Sequence, residues 1–142
     1  MSEQAIKKIL ITGANGFIGG SLMRYYQNQG QDVVGVDLVG NADDIVEGDI
    51  SQPDTISQQL QECDVIIHTA ALVSNAMQDS DMWRVNVLAT RNLIQAAKEH
   101  KVRRFVQISS IVAYGNTAEG ELDETHPVHA DGGSYVLTKL AS

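Results

Sequence analysis

The stretch KKILITGANGFIGG, residues 7–20, constrains the fold of this chain more than any other. The run KKILIT reads as a buried strand. It ends at a loop carrying Gly13, Gly16 and Gly19, and Phe17–Gln29 follows as a helix with Ile18, Leu22 and Tyr25 or Tyr26 on one face. Glycine lets the backbone turn tightly and lets a helix start close against a strand. A strand feeding a helix through such a turn is the opening of a parallel βαβ unit.

The rest of the chain repeats that alternation. DVVGVD is a second β-branched run, DIVEGD holds a brief third strand, DVIIHTA is a fourth and RRFVQIS a fifth. Pro53 sits where the first turn of a helix accepts it, and that helix continues through TISQQLQE. A longer helix, Asp81 to His100, carries Val85, Ala89, Leu93 and Ala96 on one stripe. Continuous apolar strands alternating with helices imply an α/β fold, one doubly wound domain with both sheet faces covered. The segment GNTAEGELDETHPVHADGG is polar and rich in turn formers, and is expected to be a surface loop, functional or disordered.

Bulk properties narrow the partners. The 142 residues carry a net charge of −8, which opposes binding to nucleic acid or an anionic membrane surface. The single cysteine, Cys63, has no partner for an internal disulfide and reads as a small core residue, which fits a reducing, cytoplasmic location. No long apolar stretch marks a signal or a membrane span. His126 and His129 are too isolated to suggest a metal site, and none is expected. His68, inside an apolar strand, reads as a packed, hydrogen-bonded core histidine, and Trp83 as a core or interface residue.

Chemistry enters with the glycine loop. Its spacing is GxxGxxG, and a helix N-terminus behind such a turn offers free N–H groups and a partial positive charge to phosphates. Three glycines alone would serve a ligand-free turn equally well. Asp37 closes the second strand where an acid hydrogen-bonds the adenosine ribose of a bound dinucleotide. No Arg or Lys follows in LVGNADD to accept a ribose phosphate, so the pattern favours NAD over NADP. Near the end, Tyr135 and Lys139 stand four residues apart, one above the other on a helix. A phenol is a weak base at neutral pH, and an adjacent ammonium favours its phenolate. Such a pair can take a proton from a substrate hydroxyl while hydride leaves for a nicotinamide. By itself, Tyr-x-x-x-Lys also occurs as a plain surface pair.

Seven ordered segments then carry a resemblance: TGANGFIGG, Asp37, GDI at Gly48–Ile50, HTAA at His68–Ala71, NVLATRNLIQAA from Asn86, ISSIVAYG from Ile108, and YVLTK. Together they resemble the extended short-chain dehydrogenase/reductase family, of the NAD-dependent epimerase/dehydratase type. The resemblance implies a Rossmann-like sheet of about five strands in order 3-2-1-4-5. It implies NAD contacts from Gly13, Asn15, Gly16, Phe17, Ile18 and Gly19, and from Asp37 on the ribose. Asp49 and Ile50 would flank the adenine, and Thr69, Ala70 and Ala71 would pass close to the cofactor. Asn86 would help organise the site, although a helix-surface polar residue is an equally ready reading. Ser109 would neighbour the cofactor, and Ser110 would be the catalytic serine beside Tyr135 and Lys139, which would also hold the nicotinamide ribose.

Members of that family are considerably longer. The expectation is therefore that residues 1–142 are a truncated NAD-binding domain, with the C-terminal part of the fold and the substrate domain absent. A Tyr–Lys helix this short is marginal alone, so the pair is expected to be loosely held. An apolar fifth strand left at an edge invites self-association, and the resemblance implies a homodimer. The substrate would be a small molecule, a sugar nucleotide or another secondary alcohol or ketone. The alternatives are a 3β-hydroxysteroid dehydrogenase-like or ketone-reductase member, and a non-catalytic NAD-binding module.

Overall fold

The fold comes from a computed structural model that describes residues 5–40, 43–73, 79–115, 121–130 and 132–142. It divides into two compact units, residues 1–70 with 92–108, and residues 71–91 with 109–142.

The first unit is built on a parallel five-stranded sheet in the order β3-β2-β1-β4-β5. Its strands are β1 (Lys8–Thr12), β2 (Asp32–Asp37), β3 (Ile45–Glu47), β4 (Val65–His68) and β5 (Arg104–Gln107). The expected strand order is therefore observed. Central β1 pairs with both neighbours, Ile11 lying opposite Gly35 on one side and Ile67 on the other. Every residue of β4 is buried, as a strand covered on both faces requires. On one face Ile9, Ile11, Val33, Val65 and Ile67 cluster with Ala14 and Met23, and Leu22 and Tyr26 pack against them. Leu10, Val36 and Ile66, at alternate positions, are fully buried, as are Ile56 and Leu60. Each such side chain contributes about 1.5–3 kcal/mol by leaving water.

Helix α1 (Phe17–Asn28) packs Leu22 and Tyr26 of the expected face on the core and departs from expectation at Ile18. Gly19 and Met23 are buried, whereas Ile18 is 47% exposed and Tyr25 58% exposed. The glycine at position 19 lets the helix approach the loop so closely that Gly19 and Met23 are buried beside Leu22 and Tyr26, while Ile18 is left outside. The helix ends in a Schellman motif: Gly30 N donates to Gln27 O at 2.9 Å and Gln31 N to Tyr26 O at 3.0 Å. Gly30 has φ +69°, the left-handed conformation that motif needs. After Pro53 the chain makes one 3-10 turn, Pro53–Ile56, before α2 (Ser57–Glu62). Asp64 ties the strand starts together, its carboxylate accepting from Lys7 N at 2.7 Å and Lys8 N at 3.2 Å. The same carboxylate faces the Arg103 guanidinium at 3.8 Å.

The long helix runs from α3 (Asp79–Trp83) through a π-helical stretch, Arg84–Ala89, into α4 (Thr90–Glu99). The π stretch widens the turn and shifts the faces, so that of the expected stripe Ala89 and Leu93 are buried while Val85 and Ala96 are only half-buried. The residues buried are Met82, Asn86, Val87, Ala89, Thr90, Leu93 and Ala97. Trp83 is 44% exposed and so does not belong to the core. In the second unit α5 (Ser134–Ala141) packs against α3, the π stretch and a 3-10 turn, Ile111–Tyr114. The described residues of the expected polar loop, Gly115, 121–130, 132 and 133, form no helix or strand. Among the described residues no helix is long and apolar enough to cross a membrane.

Candidate functional site

The glycine loop lies in the first unit. Gly13 has φ +69°, and a Cβ there would stand 2.8 Å from Ala70 N and 3.0 Å from Thr69 Oγ1. Both the backbone conformation and the space admit only glycine. Gly16 N closes the turn onto Gly13 O at 2.9 Å, and Gly16 is the N-cap of α1. No side chain caps that helix through Gly16, and no acidic residue occupies its first turn. The first N–H groups of α1, at Phe17, Ile18 and Gly19, are thus not answered by an acidic cap, and the dipole there favours an anion.

Asp37 closes β2 beside this loop. Its Oδ2 accepts from Asn15 N at 2.9 Å and its Oδ1 from Leu38 N at 2.8 Å. Asn15 Nδ2 donates to Val39 O at 2.7 Å. One carboxylate therefore fixes the tip of the glycine loop against the end of β2, and its remaining lone pairs can still meet ribose hydroxyls. Asp49 and Ile50 follow β3. Asp49 Oδ1 accepts from Ser51 N at 2.8 Å, and Ile50 is buried. Thr69 Oγ1 donates to Thr12 O at 2.7 Å, and Ala70 N donates to Thr12 Oγ1 at 3.4 Å. Thr12, which sequence reading passed over, is fully buried and also bonds His68 Nδ1 at 2.6 Å. His68 is 1% exposed, the packed histidine expected. Burial likewise pushes the Cys63 thiol up to about 11.

The second unit holds Ala71, Asn86, Ser109, Ser110, Tyr135 and Lys139. Ser110 is the N-cap of the 3-10 turn and accepts from Val112 N at 3.4 Å. It lies three residues beyond the end of β5, outside the strand that sequence reading extended to Ser109. With Ser109, Ile111, Ala113, Tyr114 and Val128 it lines a cavity of about 400 Å³. The polar segment is pinned to this turn, His129 N donating to Ala113 O at 2.9 Å and the His126 ring standing edge-on to Tyr114 at 6.2 Å.

Tyr135 and Lys139 share a face of α5. Tyr135 is half-buried and Lys139 buried, and burial lowers the Lys139 ammonium from its ordinary value of 10.5. A loosely held pair was expected from the length of the helix alone. Packing on three neighbouring elements supplies instead what an eight-residue helix lacks by itself. Asn86 is not a helix-surface residue: it is 2% exposed, and its side-chain amide joins Leu72 and Thr138. Among the described residues no group of three or more His, Cys, Asp or Glu could hold a metal ion.

A dTDP-glucose 4,6-dehydratase of Streptomyces niveus is 31% identical over 94% of this chain and 46% of its own length. Sterol demethylase protein B of Methylococcus capsulatus is 34% identical over 94% of this chain and 44% of its own. Among solved structures, MoeE5 in complex with UDP-glucose and NAD superposes with TM-score 0.85 at 33% identity, over 94% of this chain and 46% of that one. The chain spans less than half the length of the curated relatives it matches. The profile of the NAD dependent epimerase/dehydratase family matches residues 9–142, and the chain belongs to that family.

Proposed function

We propose that residues 1–142 form the NAD-binding domain of an oxidoreductase, epimerase or dehydratase that acts on a hydroxyl or carbonyl carbon. The carrying observation is the glycine loop whose tip amide, Asn15 N, is held by the Asp37 carboxylate. That geometry puts a helix N-terminus and an acid side by side, one suited to a pyrophosphate and the other to a ribose diol. NAD, when bound, accepts or returns a hydride at its nicotinamide ring. Gly13, Asn15, Gly16, Phe17, Ile18 and Gly19 would cradle the pyrophosphate, with Asp37, Asp49, Ile50, Thr69, Ala70, Ala71 and Ser109 completing the binding set; Asn86, buried and bonded to Leu72 and Thr138, would organise the site without touching the cofactor.

On this reading Tyr135 takes the proton of the substrate hydroxyl and Ser110 hydrogen-bonds the same oxygen. Lys139 favours the Tyr135 phenolate through its positive charge and holds the nicotinamide ribose. A nucleotide sugar is the leading substrate class, supported by MoeE5, whose complex contains UDP-glucose. A second reading, a secondary alcohol or ketone with an apolar body, as in 3β-hydroxysteroid dehydrogenase-like members, draws on the apolar walls beside Ser110, Ile111, Ala113 and Val128. A substrate-covering domain would lie in further chain, and the exposed Leu88 and Leu137, each 44% exposed, suit a homodimer interface that sedimentation would detect. A cytoplasmic location fits the same reading.

The test is NAD titration by calorimetry, with NADP and the Asp37→Ala variant alongside. Saturable binding that prefers NAD and weakens at least tenfold in the variant is expected, since each lost hydrogen bond to a charged group is worth about 1.5–3 kcal/mol. Equal affinity for NADP, or an unaffected variant, overturns the cofactor assignment. Tyr135→Phe separates catalysis from binding alone: a non-catalytic NAD-binding module would lose nothing.

A further inference from the structure

Thr138, between the proposed acid–base pair, is 1% exposed and makes two hydrogen bonds. Its hydroxyl donates to Tyr135 O at 2.8 Å and accepts from Asn86 Nδ2 at 3.0 Å. Asn86 in turn accepts from Leu72 N at Oδ1, 2.7 Å away, and donates from Nδ2 to Leu72 O at 3.0 Å. This closed pairing with the N–H and C=O of one residue fixes which end of the amide is which. A flipped amide would set oxygen against Leu72 O and NH₂ against Leu72 N. Nδ2 must therefore face Thr138, the hydroxyl must accept from it, and the hydroxyl proton must go to Tyr135 O. Asn86 itself sits in the π-helical stretch, where Thr90 Oγ1 donates to its carbonyl at 2.8 Å.

A threonine that merely satisfied its helix would need only the bond to the carbonyl three residues back. The second bond, across to Asn86, fastens the turn between Tyr135 and Lys139 to another element. We propose that Thr138 is a positioning residue for the Tyr135/Lys139 pair, its hydroxyl locking that turn of α5 to Asn86 and, through Asn86, to the backbone at Leu72 beyond β4. The inference rests on reading Tyr135 and Lys139 as the working pair. It assigns to Thr138 the rotation of α5 about its own axis, which sets where both side chains point. Valine keeps the shape at position 138 and removes both bonds, whereas serine keeps both.

Amide hydrogen exchange and NMR titration of the Lys139 amine test this in the wild-type chain, Thr138→Val and Thr138→Ser. The Leu72 amide should exchange about tenfold faster in the valine variant, as the loss of one buried hydrogen bond predicts, and serine should restore its protection. The Lys139 titration should move toward 10.5 with valine and return with serine. Should Thr138→Val lose its cooperative thermal transition, Thr138→Ala carries the same comparison. An unchanged Leu72 amide and Lys139 titration, or a serine variant that behaves like valine, overturns the proposal. If the linkage holds while NAD does not bind, the functional reading fails and the positioning role stands. If NAD binds and the linkage is absent, only the positioning role fails.

Discussion

Gly19→Ala sets two well-known effects against each other, so the sign of its stability change is informative. Position 19 lies within α1, where alanine is better than glycine by about 1 kcal/mol. On propensity alone the variant would be more stable. A Cβ built there, however, overlaps the Gly13 carbonyl oxygen outright and lies 2.8 Å from the Gly13 carbonyl carbon and 3.0 Å from Ala14 Cα. Ordinary contact begins at 3.4 Å. All three atoms are backbone, so no side-chain rotation relieves the overlap and α1 must back away from the loop. Overpacking of this kind costs about 1–3 kcal/mol, and the upper end applies where only backbone can move. The net expectation is destabilisation by about 2 kcal/mol, which lowers Tm by roughly 5–10 °C in a chain of this size. Urea or thermal unfolding by circular dichroism measures it. Gly30→Ala is the control, because its φ is +69° and nothing lies within 4 Å. It should lose about 1 kcal/mol through backbone strain alone. NAD affinity should fall with Gly19→Ala and stay unchanged with Gly30→Ala. A Gly19→Ala chain as stable as the parent, binding NAD equally, would refute the steric account of the loop.

Three further outcomes are expected. Cys63, with its thiol raised from 9.0 to about 11, should carry about a hundredfold less thiolate at pH 8 than a free thiol and react correspondingly slowly with an alkylating reagent; rapid labelling of the folded chain would contradict its burial. Burial lowers the Lys139 pKa, so the folded chain binds that proton less tightly than the unfolded one, and stability should rise as pH climbs from the lowered value toward 10.5. Denaturation midpoints across that range should lose this rise in Lys139→Met. Thr12→Val removes the buried hydroxyl partner of His68 Nδ1 and should cost about 1–3 kcal/mol in urea unfolding, with the sheet's circular dichroism unchanged.

Local chemistry makes part of this protein legible without coordinates. An apolar run such as ILIT or VIIH can be buried only on both faces, glycines at 13, 16 and 19 demand a tight strand-to-helix turn, and an acid ending the second strand must lie beside that turn in a parallel sheet. These follow from backbone geometry and hydrophobicity, which act over a few residues. The exposure of Ile18 and the burial of Gly19 and Met23 in α1 did not follow, because the depth of the helix's approach at Gly19 is set by the loop it meets. Nor did the full stripe of the long helix, in which Ala89 and Leu93 are buried as expected but Val85 and Ala96 are not, because a π-helical stretch at Arg84–Ala89 leaves no periodic mark in composition. Asn86 and Thr138 look alike to any propensity scale whether they face water or each other, and they stand 52 residues apart in the chain. Whether a polar side chain is solvated or spends its hydrogen bonds on a neighbour depends on which elements pack together. Sequence by itself determined the sheet, the glycine loop and the acid beside it; tertiary packing alone decided which polar side chains were buried, and so what holds the turn carrying Tyr135 and Lys139.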